Sequence, residues 1–559
     1  MFGYRRHICS HHGNLHTYQR ERSIVPCVVS SVCSSSSEGA VIVGNKWVAQ
    51  PLGSGCSMSR TNQQSESCSA KFCKFLTIKN SRTWDPIVFS PCSHNFMLAA
   101  KSRILKETPQ PEDEYLRRFA LSLHAVAKSI FVKQTPLTRE EFLSAYSGSK
   151  RLRYAMAADR VYDVDDGSIK HASSFVKLQR FDPTSKEHQV PRVVSFRQYT
   201  NAFSLGRYIR PLEHQFVNAP SFGRFKGYRW LAKTRNLTQR ATDISLIWDM
   251  IPNVCCVSID ASRFEAHVSK DMLSLEFETY SDAYRGDARL VKMLKAMLAT
   301  KMHTKYGLKC SILGRRLSGD MCTSLGNALL MCGMLNFISE DLNIDFKIYD
   351  DGDDCLLFMN KNLLPRLEEM RNCFKRLGFD VRVDKIAYCL EEIVFCQSHP
   401  IYWAPGQGVL CPDPDKHMSA LYTGTSYGRS ARRDRLIAFS TAMCCLSFLT
   451  NIPILGAFHS MVHRATATKR KMIFPDRTLE YLYKNNSSCS KCPGLNDALR
   501  VSFYLAFGYT PSQQEQLEEH FDTTLLHFKH YAELSQPVFD YITWTSVTDT
   551  PACQLDAPT

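Results

Sequence analysis

Several features that would place this 559-residue chain in a common class are missing from it. No apolar core follows the basic, His-rich stretch Met1–Gly13, so no secretory leader is expected. The 22 cysteines are spread along the chain instead of clustering as in a small disulfide scaffold, which favours reduced thiols in a cytosolic compartment. Cys489 and Cys492 form a lone C-x-x-C in a Ser/Asn-rich loop with no second ligand pair nearby, so a zinc module is not expected there. The uncharged stretch from Leu436 to Phe458 is long enough for a bilayer, but Asn451 and Pro453 interrupt it, so it reads as a broken pair of buried helices. No internal repeat is visible, and no G-x-x-x-x-G-K-[ST] loop points to a helicase. Acidic residues are the scarcer charge, 54 Asp and Glu against 69 Lys and Arg. That net charge of +15 favours polyanionic partners, nucleic acid before membrane surfaces.

A chain of this length divides into two to four subdomains. Residues 1–89 carry Ser-rich runs (Ser30 to Ser37) and little apolar periodicity, which reads as a flexible or loosely folded region. Helical spacing then covers Glu114–Val132 and Leu152–Val161, and Thr138 with Glu141 makes a capping box before Phe142. Short β-like runs follow at Phe175–Val176 and Val193–Phe196. An apolar strand over 254–259 ends on Asp260, and helices are expected over Phe264–Tyr284, Leu290–Thr304 and Leu325–Ile338. Leu363–Leu377 is amphipathic, Val381–Val383 and Ile393–Cys396 look like short strands, and Arg500–Phe507 and Pro511–His527 look helical.

The stretch Tyr349–Cys355 concentrates the chemistry. Four carboxylates, Asp350, Asp351, Asp353 and Asp354, surround Gly352 between two apolar runs, which predicts a β-hairpin with acids at its turn. Such a knot either binds a divalent cation through oxygen or is a solvated acidic turn. Asp260 and Glu265, a strand-end acid and a second acid five residues on, suit a metal site at a sheet edge or an ordinary capped turn. Ser318-Gly319 permits close backbone approach to a ligand, and Thr323 and Asn327 share one helical face. Upstream, Lys177, Lys186, Arg192, Arg197, Arg207 and Arg210 could converge on a triphosphate or form a solvated basic surface.

In this order, the segments resemble the motifs of viral RNA-dependent RNA polymerases, in particular the tombusvirus-like group of positive-strand RNA viruses. Asp260 to Phe264, with His267 to Ser269, resembles motif A, Ser318 to Asn327 motif B and Gly352-Asp353-Asp354 motif C. Phe175 to Lys177, Pro191 to Val194 and Arg197 resemble motif F. Phe395 to Gln397 with Pro400 is similar to motif E, and Ser502 to Gly508 resembles the thumb segment of the group. The likeness covers about residues 91–525. Two departures stand out: Cys322 where the group has Asn, and Glu265 where it has a second motif A Asp.

The resemblance implies an α+β right-hand polymerase, with an antiparallel palm sheet packed on helices. It places fingers at 90–250, palm at 251–400 with room for a fingers insertion, thumb at 401–530 and a tail at 531–559. It implies template-directed RNA synthesis with two Mg²⁺ or Mn²⁺ ions roughly 3.5–4 Å apart, held by Asp260, Asp353 and Asp354. Lys177, Arg192 and Arg197 would neutralise the triphosphate. Glu265, Ser318, Thr323 and Asn327 would line the sugar side, and Lys385 is the candidate general acid. The implied partners are viral RNA template and product, NTPs and a separate viral membrane-targeting replicase protein, with no stable DNA partner. The implied location is a membrane-associated replication complex in the host cytoplasm. Two rivals are a reverse transcriptase and an RNA-binding replication scaffold with a decayed site.

Overall fold

The computed structural model describes residues 73–524 apart from positions 77, 79–80, 90, 162–165, 185–189, 262, 306, 425, 428–429, 475–476 and 487–491. It also describes the short strands 40–43, 46–49, 57–60, 527–530 and 533–535. Lys186, most of the C-x-x-C loop and the tail beyond 535 lie outside the described residues.

At the centre is a four-stranded antiparallel sheet in the order Lys347–Asp350, Asp354–Asn360, Val254–Asp260, Arg382–Ala387. Its middle strands are covered on both faces, which explains why they read as unbroken apolar runs instead of alternating ones. Cys255, Val257 and Ile259, with Cys355, Leu357 and Met359, enter the largest core beside the helices Asp113–Ile130, Lys270–Ala283 and Thr323–Asp341. Cys256, Leu356 and Phe358 face the opposite side and pack with Ile244 and Ile247 of the helix Leu237–Asp249. Period-two alternation thus sorts one strand between two cores.

A second, seven-stranded sheet includes 57–60, Leu308–Leu313, Ala299–Thr304, His171–Val176 and Val193–Arg197, and strands 40–43 and 46–49 continue its far edge. Part of residues 1–89 is therefore paired into a sheet, where sequence texture suggested a loose arm. Ala299–Thr304 also corrects the helix expected over Leu290–Thr304. The helix Ala288–Met297 stops, and the next residues pair antiparallel with Leu308–Leu313 and parallel with His171–Val176. Strand partners on both sides override local helical spacing. Two smaller corrections follow from turn chemistry. Pro365 separates a 3₁₀ turn, Lys361–Arg366, from the helix Leu367–Arg376. Where a strand was expected at Ile393–Cys396, a tight turn closes between Phe395 and Ser398, with positive φ at Cys396 and Gln397.

The C-terminal part is a hairpin, Ser398–Ala404 with Gln407–Pro412, packed against helices Ala431–Leu449, Leu455–Thr466, Asp497–Phe507 and Pro511–Thr523. The stretch around Asn451–Pro453 does break into two helices. The Ile454 amide donates to Glu518 Oε1 at 3.0 Å, and the Asn451 side-chain amide donates to the Cys492 carbonyl at 2.7 Å. Among the described residues no helix is long and apolar enough to cross a membrane. The capping box at Thr138 is formed, its hydroxyl accepting from the Glu141 amide and the Glu141 carboxylate from the Thr138 amide.

Candidate active site

Register in the central sheet brings the acids together. Asp260 and Asp354 are directly opposite each other in the antiparallel pair of Val254–Asp260 and Asp354–Asn360. Facing like charges destabilise a strand pair, so the fold holds a repulsion at this sheet edge. Asp353 stands next to them in the turn. Desolvation in the cleft, then Asp353, Asp260 and Asp351, pushes the Asp354 carboxyl up to about 6, although its side chain still meets solvent. Gly352, at φ +109°, makes the turn possible, and its amide donates to Asp350 Oδ2 at 3.0 Å.

The other two acids of the knot do different work. Asp350 is fully buried, its backbone bonded to Trp230 and Ala232. Burial pushes its carboxyl up, opposed by Lys233 and helped by Asp351, and its Oδ2 braces the turn by accepting from the Gly352 amide. Asp351 is paired, 2.8 Å from Arg240 and 3.6 Å from Lys233.

An open cleft of about 300 Å³ lies beside this turn, lined by Asp351, Gly352 and Asp353 on one side and by Glu265, Ser318, Asp320, Thr323, Ser324 and Asn327 on the other, with Lys233 between. Two backbone bonds hold the far wall in place, Arg316 amide to Glu265 carbonyl at 3.0 Å and Arg315 amide to Val268 carbonyl at 2.9 Å. Beneath them Arg316 and Glu276 form an ion pair sealed from water. Burial and then Asp353 push Glu265 up, opposed by Arg192 and Arg316. Thr323 donates to the Leu317 carbonyl at 2.6 Å, which fixes the start of the helix Thr323–Asp341. Asn327 Oδ1 is buried without a hydrogen-bond partner among the described residues. An unsatisfied acceptor at a cleft wall costs stability unless a ligand donates to it.

The family described as viral RNA dependent RNA polymerase matches residues 95–529. The chain belongs to that family. It is similar to the RNA-directed RNA polymerase of Turnip crinkle virus, 30% identical over 399 residues covering 68% of this chain and 50% of the relative. It is also similar to that of Tobacco necrosis virus (strain A), 31% identical over 394 residues, 68% of this chain and 53% of the relative. A third relative, from Oat chlorotic stunt virus, is 30% identical over 391 residues, 64% of this chain and 50% of the relative. The chain spans about half the length of the curated relatives it matches.

Set against this membership, the residues singled out in the sequence fall into three groups. Asp260, Asp353, Asp354, Glu265, Ser318, Thr323 and Asn327 gather at the cleft or its edge. Arg192 is half-buried and electrostatically coupled to Glu265, and Lys177 is exposed with its amide bonded to the Arg192 carbonyl at 2.7 Å. Arg197 is spent elsewhere. Its buried guanidinium donates to Asp320 at 2.7 and 3.1 Å, to Thr300 at 3.1 Å and to the Ile169 carbonyl. Arg207 and Arg210 are likewise bonded away from the cleft, to the Leu137 carbonyl and Tyr146. Lys385 pairs across the sheet with Ser258 and stands near His399 instead of lining the cleft.

Gly319 also does something other than expected. A Cβ there would lie 2.3 Å from the Ser195 carbonyl oxygen, so the close approach it permits is to the neighbouring strand. Sequence reasoning missed Lys233, Arg240 and Arg103. Burial first, then Arg192 and Arg263, push Arg103 down to about 10, while Glu265 and Asp260 pull it up, so it is coupled to the acids of the cleft. The structure shows a capping box of Asn236 and Gln239 just beyond Lys233, a local signal that says nothing about the acids.

Proposed function

We propose that this chain carries the catalytic part of a viral RNA-directed RNA polymerase, a nucleotidyltransferase that copies viral RNA on an RNA template. One observation carries this reading: Asp260 and Asp354 face each other across two strands, with Asp353 in the adjoining turn, at the edge of a polar cleft. In right-hand terms the central sheet is the palm, the seven-stranded sheet the fingers, and the C-terminal helices the thumb.

The all-oxygen donor set, with one carboxyl raised by burial and then by its neighbours, fits hard divalent cations, Mg²⁺ or Mn²⁺. Asp260, Asp353 and Asp354 would hold two of them. When bound, they supply charge neutralisation at the transferring phosphoryl group and a more acidic attacking hydroxyl. The chain's own groups do the rest. Arg192, Lys177 and the newly placed Arg103 and Lys233 supply positive charge for the triphosphate. Asn327 offers its unpartnered oxygen to a sugar hydroxyl, with Glu265, Ser318 and Thr323 around it. Arg197 acts at one remove, by fixing Asp320 in the cleft wall. Lys385 stays the candidate proton donor on the resemblance alone, since it does not line the cleft.

The basic excess contacts backbone phosphates of template and product without reading sequence. A separate viral replicase protein bringing the chain to a host membrane in the cytoplasm belongs to the same proposal. The test is Mg²⁺- or Mn²⁺-dependent NTP incorporation by the purified chain on a homologous RNA. Asp353→Asn should abolish incorporation while leaving the circular dichroism spectrum unchanged. Activity near that of the parent would overturn the assignment, and a preference for dNTPs would favour a reverse transcriptase.

A further inference from the structure

Outside the cleft, three helices of the C-terminal layer bring a second set of donor atoms together. His417 lies on Pro414–Ala420, Cys445 on Ala431–Leu449 and His459 on Leu455–Thr466. One donor atom from each lies within 4.8 Å of the others. His417 Nδ1 is 3.4 Å from His459 Nε2. Two imidazole nitrogens bound to one tetrahedral zinc ion at their usual bond lengths are about 3.3–3.4 Å apart. The pair therefore already has the spacing of one edge of such a site. An N–H···N hydrogen bond of that length would be weak, and it would not account for the free, buried thiol of Cys445 facing both rings.

We infer that His417, Cys445 and His459 bind one zinc ion that staples the three helices, with water as fourth ligand on the half-exposed His417 side. The donor set, two nitrogens and one sulfur, suits zinc and disfavours the hard cations of the polymerase cleft. Binding converts the Cys445 thiol to a thiolate, its proton passing to solvent. His459 Nδ1 is 2.9 Å from the Tyr422 hydroxyl oxygen. With Nε2 on the metal, Nδ1–H donates to that oxygen and sets the tautomer. Lys416 and Arg180 stand near His417 and oppose added positive charge, of which the thiolate offsets one unit. The staple also reaches toward the active site, because Lys416 donates to Gln397 in the turn whose Cys396 meets Asp351. None of this depends on the polymerase reading.

The experiment uses the full chain with Cys489 and Cys492 replaced by Ser, dialysed against Zn²⁺ in excess Mg²⁺ so that the carboxylate cleft is occupied. Elemental analysis should find one equivalent of zinc. Cobalt in its place should give a thiolate-to-metal charge-transfer band and tetrahedral visible bands. His417→Gln and Cys445→Ser should each lose the zinc and the band, and zinc should raise the Tm of the parent but not of His417→Gln. His417 is half-exposed, so its variant decides the matter if Cys445→Ser fails to fold. The proposal is overturned if the parent retains no zinc, if both variants retain it undiminished, or if the cobalt form lacks the thiolate band.

Discussion

Asp354 offers the sharpest test of the acidic cluster, because its perturbation has a stated cause. Burial and three neighbouring carboxylates lift it from 3.8 to about 6. A metal ligand must be deprotonated, so protons compete with the cation. A carboxyl titrating near 6 is outcompeted about tenfold at about pH 5 and hardly at all at about pH 8. Apparent Mg²⁺ affinity should therefore fall about tenfold over that range from this group alone. A carboxyl at its ordinary value would lose almost nothing. The sign for folding runs the opposite way. A folded-state value above the unfolded one stabilises the metal-free chain at low pH, and that contribution is lost as pH rises through about 6. Divalent cation should then raise Tm more at about pH 8 than at about pH 5. The assay is a Mg²⁺ titration followed by thermal melting and by NTP incorporation at both pH values, on the parent and on Asp354→Asn. The variant should lose most of the pH dependence. Equal metal midpoints at the two pH values in the parent, or an unchanged dependence in the variant, would refute the reasoning.

Three further outcomes are expected. Glu265→Asp shortens a cleft acid proposed to line the sugar side, so the ratio of NTP to dNTP incorporation should change; an unchanged ratio removes Glu265 from sugar selection. Glu276→Gln leaves Arg316 charged and unpaired, with both side chains no more than 1% exposed. Denaturant melting should register a loss of about 3–5 kcal/mol, and the double change Glu276→Leu with Arg316→Met should recover most of it. Gly319→Ala would force a methyl against the Ser195 carbonyl, costing about 1–3 kcal/mol and displacing Ser318 and Asp320. Incorporation should fall more than global stability does, and equal activity would show that the loop absorbs the methyl elsewhere.

Much of the fold was legible where physics is local. The hairpin around Gly352 follows from two apolar runs and a residue tolerant of positive φ, and the Thr138 box and the break near Pro453 follow from capping and backbone chemistry. The helix misread over 299–304 shows the limit, since its strand partners include residues 171–174, about 130 positions away.

The same division runs through the site. The sequence by itself determined which carboxylates end strands and which follow a Gly turn, because strand period and turn propensity act over a few residues. Only the tertiary structure decided which charges are available. Arg197 looked like a triphosphate ligand until Asp320 took its guanidinium, and Asp351, which precedes the turn and was not expected to ligate metal, is held by Arg240 and Lys233. Lys233, Arg103 and the His417–Cys445–His459 cluster could be found only in three dimensions. Ion pairing and ligation need atoms within a few ångströms, and segment spacing along a chain does not encode which distant segments meet.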